Sequence, residues 1–215
     1  MPPEQKATRV EYEVLPIHAS HIPQVVDVHM RAFPDFFLTF LGPQFLKQFY
    51  ASFASDPMGV GFVAWEPDSG RVLGVVVGPV NPAGYFKRLL KRRWWAFCLA
   101  SCRAVLRRPT VVKRLARAVF YRGEAPEGTN RSLLSSIAVA PEAQGMGLGR
   151  ALVNAWLGEV RRRGSTGAFL TTDAHNNEST NRFYQKSGWR LEKTYTTPEG
   201  RAMNRYVMDF ASEGS

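Results

Sequence analysis

The chain has 215 residues, 45% of them apolar, a formal net charge of +10 and two cysteines. That length fits one domain with a sizeable core, and the composition excludes a disulfide scaffold or a disordered chain. No apolar run reaches the ~18 residues of a membrane span, and the polar N-terminal stretch MPPEQKATRVEYEV lacks the apolar core of a signal peptide. The expectation is a cytoplasmic protein in which Cys98 and Cys102, four apart in one helix, are buried and reduced.

The charge is not spread evenly. Twelve of the 28 Lys and Arg, and none of the 18 Asp and Glu, lie between Asn81 and Gly123. The basic excess is therefore a local surface feature. With no supporting motif, a nucleic-acid partner is not expected.

Arg9 to Ile17 reads as a first strand, with Val10, Tyr12 and Val14 on one side. Ser20 is placed to cap a helix from His21 to about Ala32, whose apolar stripe is Ile22, Val25, Val26, His29 and Met30. Phe33 to Thr39 is a loop, unusually aromatic for a connection. A second helix follows from Pro43 to about Ser55 on Phe45, Leu46, Phe49, Tyr50 and Phe53. Gly59 to Glu66 and Arg71 to Val80 form a hairpin around Pro67-Asp68-Ser69-Gly70.

Tyr85 to Tyr121 reads as a basic helical hairpin inserted between strands. Tyr85, Phe86, Leu89 and Leu90 share one face, and Lys87, Arg88, Lys91 and Arg92 the other. A polar linker from Glu124 to Asn130 leads to a central strand, Ser132 to Ala140. Leu148 to Arg163 is an amphipathic helix that Gly164 ends, with Arg161, Arg162 and Arg163 suiting the helix dipole. Ala168 to Ala174 is a strand and Asn177 to Ser187 a helix stopped by Gly188. Trp189 to Thr197 and Ala202 to Phe210 form a closing hairpin. The fold class is α/β: one domain over residues 1–215, a mixed central sheet with helices on both faces, and a basic insertion at about 81–130.

Between the central strand and the long helix lies Gln144-Gly145-Met146-Gly147-Leu148-Gly149. Glycines at a helix start let a ligand approach the backbone, and the free N–H groups of the first turn favour an anion such as a phosphate or pyrophosphate. A tight strand-to-helix turn with no ligand accounts for the glycines equally well. The dinucleotide pattern G-x-G-x-x-G is absent.

Gln144-x-x-Gly147-x-Gly149 resembles the Q/R-x-x-G-x-G/A signature of the Gcn5-related N-acetyltransferase (GNAT) superfamily. Asn177-x-x-Thr180-x-x-Phe183-Tyr184-x-x-x-Gly188-Trp189 resembles that family's second signature, with Thr180 in place of alanine and Trp189 in place of phenylalanine. The resemblance implies direct acyl transfer from acetyl-CoA, as co-substrate, to a primary amine. An amine with a pKa near ~10 must lose a proton, the tetrahedral oxyanion needs aimed donors, and the thiolate benefits from an acid.

In the roles that the resemblance implies, backbone groups of Ile137, Ala138 and Val139 hold the pantetheine arm and polarise the thioester. Gln144, Gly145, Met146, Gly147, Leu148, Gly149 and Arg150 cradle the pyrophosphate. Asn177 bonds the pantetheine or neighbouring backbone. Tyr184 is the general acid toward sulfur, unless it is a core tyrosine. For the base, Asp173 stands first and His175 second, because histidine changes charge near neutral pH; Asp35 is third. Asp173 and His175 can equally order the end of the strand through backbone hydrogen bonds. Where some relatives carry a catalytic glutamate, this chain has Thr172.

Phe33, Asp35 and Phe36 lie where the family builds its acceptor site, and their aromatics either line a pocket or pack between the first two helices. This stretch, with Leu41-Gly42, resembles acetyltransferases associated with cell-surface polysaccharide synthesis. The acceptor expected is therefore a small-molecule amine such as an amino sugar. A protein amine, or an acyl-CoA-binding module without turnover, are the rivals. The insertion over 85–121 has three readings: a solvated face, a peripheral contact with an anionic membrane, or an attractor for an anionic acceptor.

Overall fold

The computed structural model describes residues 11–82, 85–86, 88–89, 91, 130–198 and 200–211. The first strand, β1 (Glu13–Pro16), is shorter than predicted; Arg9 and Val10 lie outside the described residues. Ser20 does not cap the first helix. It sits inside a 3-10 turn, Ala19–His21, that precedes α1 (Ile22–Ala32). A cap at Ser20 would reach for the N–H of Ile22 or Pro23; the first donates to Ala19 O and proline has none. His21 closes the turn instead, its Nδ1 accepting from the His18 N–H at 3.1 Å.

The aromatic loop contains a single helical turn, α2 (Phe37–Phe40). Helix α3 (Pro43–Ser55) and the strands β2 (Gly59–Glu66) and β3 (Arg71–Pro79) lie where the sequence puts them. Of the predicted basic hairpin only five residues are described. Tyr85, Phe86, Arg88, Leu89 and Lys91 are helical; Tyr85 and Phe86 are buried, and Arg88 and Lys91 are exposed. Tyr85 stacks on Phe53 with ring centroids 5.4 Å apart. Both cysteines and the rest of that segment lie outside the described residues. No helix among the described residues is long and apolar enough to cross a membrane.

The predicted central strand is two strands. β4 (Arg131–Leu133) and β5 (Ser136–Val139) belong to different sheets, in the orders β4-β6-β8-β7 and β1-β2-β3-β5. Here β6 is Gly167–Asp173, β7 is Arg190–Thr196 and β8 is Ala202–Asp209. β4 runs parallel to β6, from Arg131 opposite Gly167 to Leu133 opposite Phe169. The chain then changes partner within two residues. Leu134 donates to Phe169 O at 3.0 Å, and Ser135 donates to Val77 O at 2.9 Å. Ser135-Ser136 is the one polar break inside that stretch, and two serines do not by themselves mark a change of sheet.

What permits it is Gly78. A Cβ there would lie 2.0 Å from Leu133 O and 2.9 Å from Trp156. Past the switch, β5 pairs with β3 and β6 pairs with β8. The facing edges of β5 and of residues 170–173 of β6 therefore diverge as a V-shaped opening between the two sheets.

Two further helices follow the same local rules. α4 (Leu148–Arg162) buries Leu148, Leu152, Val153, Trp156 and Val160, and Gly164 ends it at φ +84°. α5 (Glu178–Lys186) buries Tyr184. The two faces of the first sheet are covered by different helices. A Cβ at Gly74 would meet Leu152 of α4 and Val139 within 3.5 Å, so Val139 faces α4. Ser136, three residues away and hence on the opposite face, meets Tyr50 of α3.

Candidate active site

The edge of β5 is set by its ladder. Ala140 N–H donates to Leu73 O at 2.8 Å. In an antiparallel pair the bonded residues alternate, so Ala138, opposite Val75, also turns its backbone groups toward β3. Ile137 and Val139 then direct their N–H and C=O groups into the V. Val139 O shows this directly by accepting from Gln144 Nε2 at 3.3 Å. Ala138 is thus removed from the expected ligand-facing set: its backbone is engaged with β3 and its side chain is buried.

β5 runs through a 3-10 turn, Pro141–Ala143, into the glycine loop. Gly145 and Gly147 have φ of +82° and +84°, and nothing lies within 4 Å of where a Cβ would stand on either. Gly147 is the N-cap of α4, and no side chain caps the helix. The first intrahelical bond of that turn is Ala151 N–H to Gly147 O, 3.1 Å. The N–H groups of Leu148, Gly149 and Arg150 therefore have no carbonyl partner within the helix. An open backbone cradle with three donors at the positive end of a 15-residue helix fits a pyrophosphate.

Gly149 serves packing as well. A Cβ there would touch the ring of Phe183 at 3.6 Å. Leu148 contributes only backbone, since its side chain is buried, whereas Met146 is exposed beside the cradle. Arg150 is exposed, with one Nη2 at 3.5 Å from Lys186 O.

On the far side of the V, Asn177 turns back to the strand. Its Nδ2 donates to Thr172 Oγ1 at 2.7 Å and to Asp173 O at 3.2 Å. Asn181, which no sequence motif singles out, extends this web. Its Nδ2 donates to Asp173 O at 2.9 Å and Asn177 O at 2.8 Å, and its Oδ1 accepts from Asn204 and Tyr206. Together they fix the start of α5 on β6 and β8.

Asp173 itself is clasped by Arg201, whose Nη2 lies 2.7 Å from each carboxylate oxygen. Of the two roles open to Asp173, the geometry favours ordering the strand end over acting as the base. His175 is exposed beyond the end of β6, next to Asn176 in the left-handed region at φ 55°.

Tyr184 is buried against Phe183, Trp189 and Tyr206, with ring centroids 5.2, 5.8 and 5.9 Å away. Burial pushes its phenol well above the ordinary tyrosine range, so it holds its proton. Phe183 is only half-buried, so the two neighbours do face differently.

The aromatic loop meets this strand through a buried histidine. Phe33 and Phe36 lie 5.3 and 6.2 Å from the His29 ring. His29 Nδ1 is 2.7 Å from Tyr50 Oη, which is 3.2 Å from Ser136 Oγ on β5. Packing accounts for much of the loop, yet Phe33, Asp35 and Phe40 remain exposed. Sequence reading absorbed His29 and Tyr50 into apolar helix faces. The available signal was a polar imidazole within an otherwise apolar stripe.

α1 is also tied to the turn before the glycine loop, because Arg31 donates to both oxygens of Glu142. That bond holds the Glu142 carboxyl below its ordinary range. A groove of about 310 Å³ runs along this side of α1, past Gln24, Asp27, Arg31 and Arg71. Its charges are paired among themselves and with Glu66, and it lies apart from the V.

Residues 22–189 match the model of the acetyltransferase (GNAT) family. The chain belongs to that family. No curated protein matches the sequence. Among solved structures the GNAT fold recurs in a GNAT-family protein from Desulfovibrio desulfuricans, 17% identical with a TM-score of 0.60 over 93% of this chain and 99% of that one. It recurs in an Escherichia coli ribosomal-protein alanine N-acetyltransferase, 16% identical, TM-score 0.56, over 95% and 99%. Arabidopsis thaliana NAA60 in complex with acetyl-CoA is 14% identical, TM-score 0.56, over 93% and 98%. As a GNAT protein the chain is an N-acetyltransferase, and acetyl-CoA is its co-substrate.

Proposed function

We propose that this acetyltransferase acts on the primary amine of a small molecule, an amino sugar in the first instance. The observation that carries this reading is the acceptor-side loop. Phe33 and Phe36 offer ring faces, the exposed Asp35 offers a carboxylate for a cation, and His29, Tyr50 and Ser136 connect that loop to β5. Aromatic faces beside a carboxylate suit a compact cationic ring.

Acetyl-CoA supplies the activated thioester. The N–H groups of Ile137 and Val139 bond its pantetheine arm and polarise the acyl carbonyl, a role that preorganised donors fill well. Gln144 to Arg150 hold the pyrophosphate. Asn177 keeps the mouth of the V in shape through Thr172 and Asp173. Tyr184, its proton retained by burial, gives that proton to the departing sulfur.

The experiment has two arms. Thermal stabilisation is measured with acetyl-CoA, coenzyme A and dephospho-coenzyme A, since a ligand of the native state raises the melting temperature. Thiol release is then followed with glucosamine, other amino sugars, polyamines and alanine-terminated peptides. Stabilisation with turnover of amino sugars is the expected result. Turnover of peptides alone overturns the small-molecule reading. Stabilisation without transfer to any amine leaves an acyl-CoA-binding module.

A further inference from the structure

Three side chains from three separate elements form one hydrogen-bonded line. His29 of α1 is 1% exposed and Tyr50 of α3 is fully buried, whereas Ser136 of β5 is only half-buried. The links are 2.7 Å from His29 Nδ1 to Tyr50 Oη and 3.2 Å from Tyr50 Oη to Ser136 Oγ. The inner end is wrapped in aromatic edges, from Phe33 at 5.3 Å and Tyr50 at 5.7 Å. Burying a hydroxyl and an imidazole costs more than burying two apolar rings of similar size. Packing alone does not call for them.

The line ends on the strand whose open edge takes the acyl group, and on the face of that strand turned toward α1, α3 and the aromatic loop. This inference rests on the acetyl-transfer reading above. The acceptor arrives as an ammonium ion and must give up a proton before it attacks. Asp173 is held by Arg201 through both carboxylate oxygens. The charged groups on the elements around His29 are Asp27 and Arg31 on α1, Asp35 in the loop, Lys47 on α3, Arg71 on β3 and Glu142 after β5. Asp27, Arg31 and Glu142 pair with one another, and Arg71 pairs with Glu66. The titratable group bonded to the imidazole Nδ1 is Tyr50.

We propose that Ser136, Tyr50 and His29 form a proton relay that deprotonates the acceptor amine. The ammonium passes one proton to Ser136 Oγ, the Ser136 hydroxyl proton passes to Tyr50 Oη, and the Tyr50 proton passes to His29 Nδ1. The amine is left neutral and the imidazole positive. The nitrogen lone pair then bonds to the acetyl carbon. As the C–S bond breaks, its electron pair leaves with sulfur, which takes the proton of Tyr184; the remaining excess proton on the adduct nitrogen replaces it. After the amide leaves, the proton on His29 returns to water by the reverse path. Ser136 touches the amine, and Tyr50 and His29 act through it. The relay requires the neutral imidazole with its proton on Nε2, so that Nδ1 accepts from Tyr50.

Two measurements test the relay. In the first, nitrogen NMR of histidine-labelled protein, bound to acetyl-CoA at neutral pH, reads the His29 tautomer without any acceptor. Nδ1 without a proton is the expected result; Nδ1 protonated and donating to Tyr50 overturns the relay whatever the acceptor. In the second, kcat against pH is followed with glucosamine for Ser136→Ala, Tyr50→Phe and His29→Asn. Asparagine keeps an acceptor near the place of Nδ1 without a basic nitrogen.

Each variant is expected to lose about 100-fold in kcat. Each also loses the acid limb of the profile, with KM for acetyl-CoA within twofold of wild type. Ser136→Ala removes a half-buried hydroxyl and keeps the fold, so its profile decides even where His29→Asn is unstable. A Ser136→Ala kcat within threefold of wild type, with the acid limb intact, overturns the proposal. If wild type transfers nothing to glucosamine, the small-amine reading fails while the tautomer still decides the relay.

Discussion

Gly78→Ala tests the switch between the two sheets. The new methyl carbon would stand 2.0 Å from Leu133 O, 2.9 Å from the Trp156 ring and 3.0 Å from Leu133 C. The nearest atom is backbone, so no side chain can swing away, and β3 and β4 must part by more than ~1 Å to reach ordinary contact. Parting them strains the Ser135–Val77 hydrogen bond, 2.9 Å long, which joins β3 to the chain leaving β4. Overpacking costs about 1–3 kcal/mol and the weakened hydrogen bond about 0.5–1.5 kcal/mol. A total near 3 kcal/mol follows, which for a chain of this size lowers Tm by about 6–12 °C. The control is Gly158→Ala on the exposed face of α4, where nothing lies within 4 Å of the new Cβ. It stabilises by about 0.5–1 kcal/mol, because alanine is the better helix residue. Urea titration of both variants supplies the assay. A Gly78→Ala loss below about 1 kcal/mol, with acetyl-CoA binding intact, would refute the argument that a bare Cα is what lets the strand change sheets.

Three further outcomes are expected. Tyr184→Phe lowers kcat by about 100-fold while the thermal shift with acetyl-CoA stays unchanged; an unaltered kcat removes Tyr184 from the mechanism. Asp173→Asn, which weakens a half-exposed bidentate pair with Arg201, costs about 0.5–1 kcal/mol of stability and less than tenfold in kcat. A loss above 1,000-fold would restore Asp173 as the base. Glu159 is held down to about 2 from 4.5, chiefly by its hydrogen bond to Arg162 and then by that to Arg163. A depressed carboxyl stabilises the folded state above its unfolded pKa, and that contribution disappears as pH falls from about 4.5 toward 2. Because Arg162 is well exposed, the contribution is about 1 kcal/mol. Glu159→Gln is therefore less stable than wild type at pH 7, with the gap much reduced by pH 2 and closing below it, by urea titration at each pH; a gap as large at pH 2 as at pH 7 contradicts the assignment.

The sequence marked elements whose signals are local. α3 and the β2–β3 hairpin were legible from periodicity and turn residues, and α4 from its apolar spacing and two glycines. The open glycine turn was legible for the same reason: Gly145, Gly147 and the start of α4 are contiguous. The division of Ser132 to Ala140 was not, because Gly78, more than fifty residues away, decides it. The choice between the two roles of Asp173 was not legible either. Asp173 sits at a suggestive strand end, and only the fold brings Arg201 onto it. His29, Tyr50 and Ser136 were each readable as ordinary members of their elements. Their alignment exists only once α1, α3 and β5 are assembled. Against a Ser20 cap one reason was local and available, the missing N–H of Pro23; the other, Ile22 N–H donating to Ala19 O, exists only in the folded 3-10 turn.

Gly145 and Gly147 point into open space. The core therefore places no demand on their side chains, and only the backbone handedness restricts which residues they can carry. Asparagine tolerates that handedness better than most residues. An exchange to asparagine at either position would meet no steric clash and would strain only the backbone, while changing the surface of the proposed donor cradle. In a lineage descended from this chain, the proposed donor cradle can change through these two positions at the cost of backbone strain alone, and a descendant could abandon the donor while keeping the core intact.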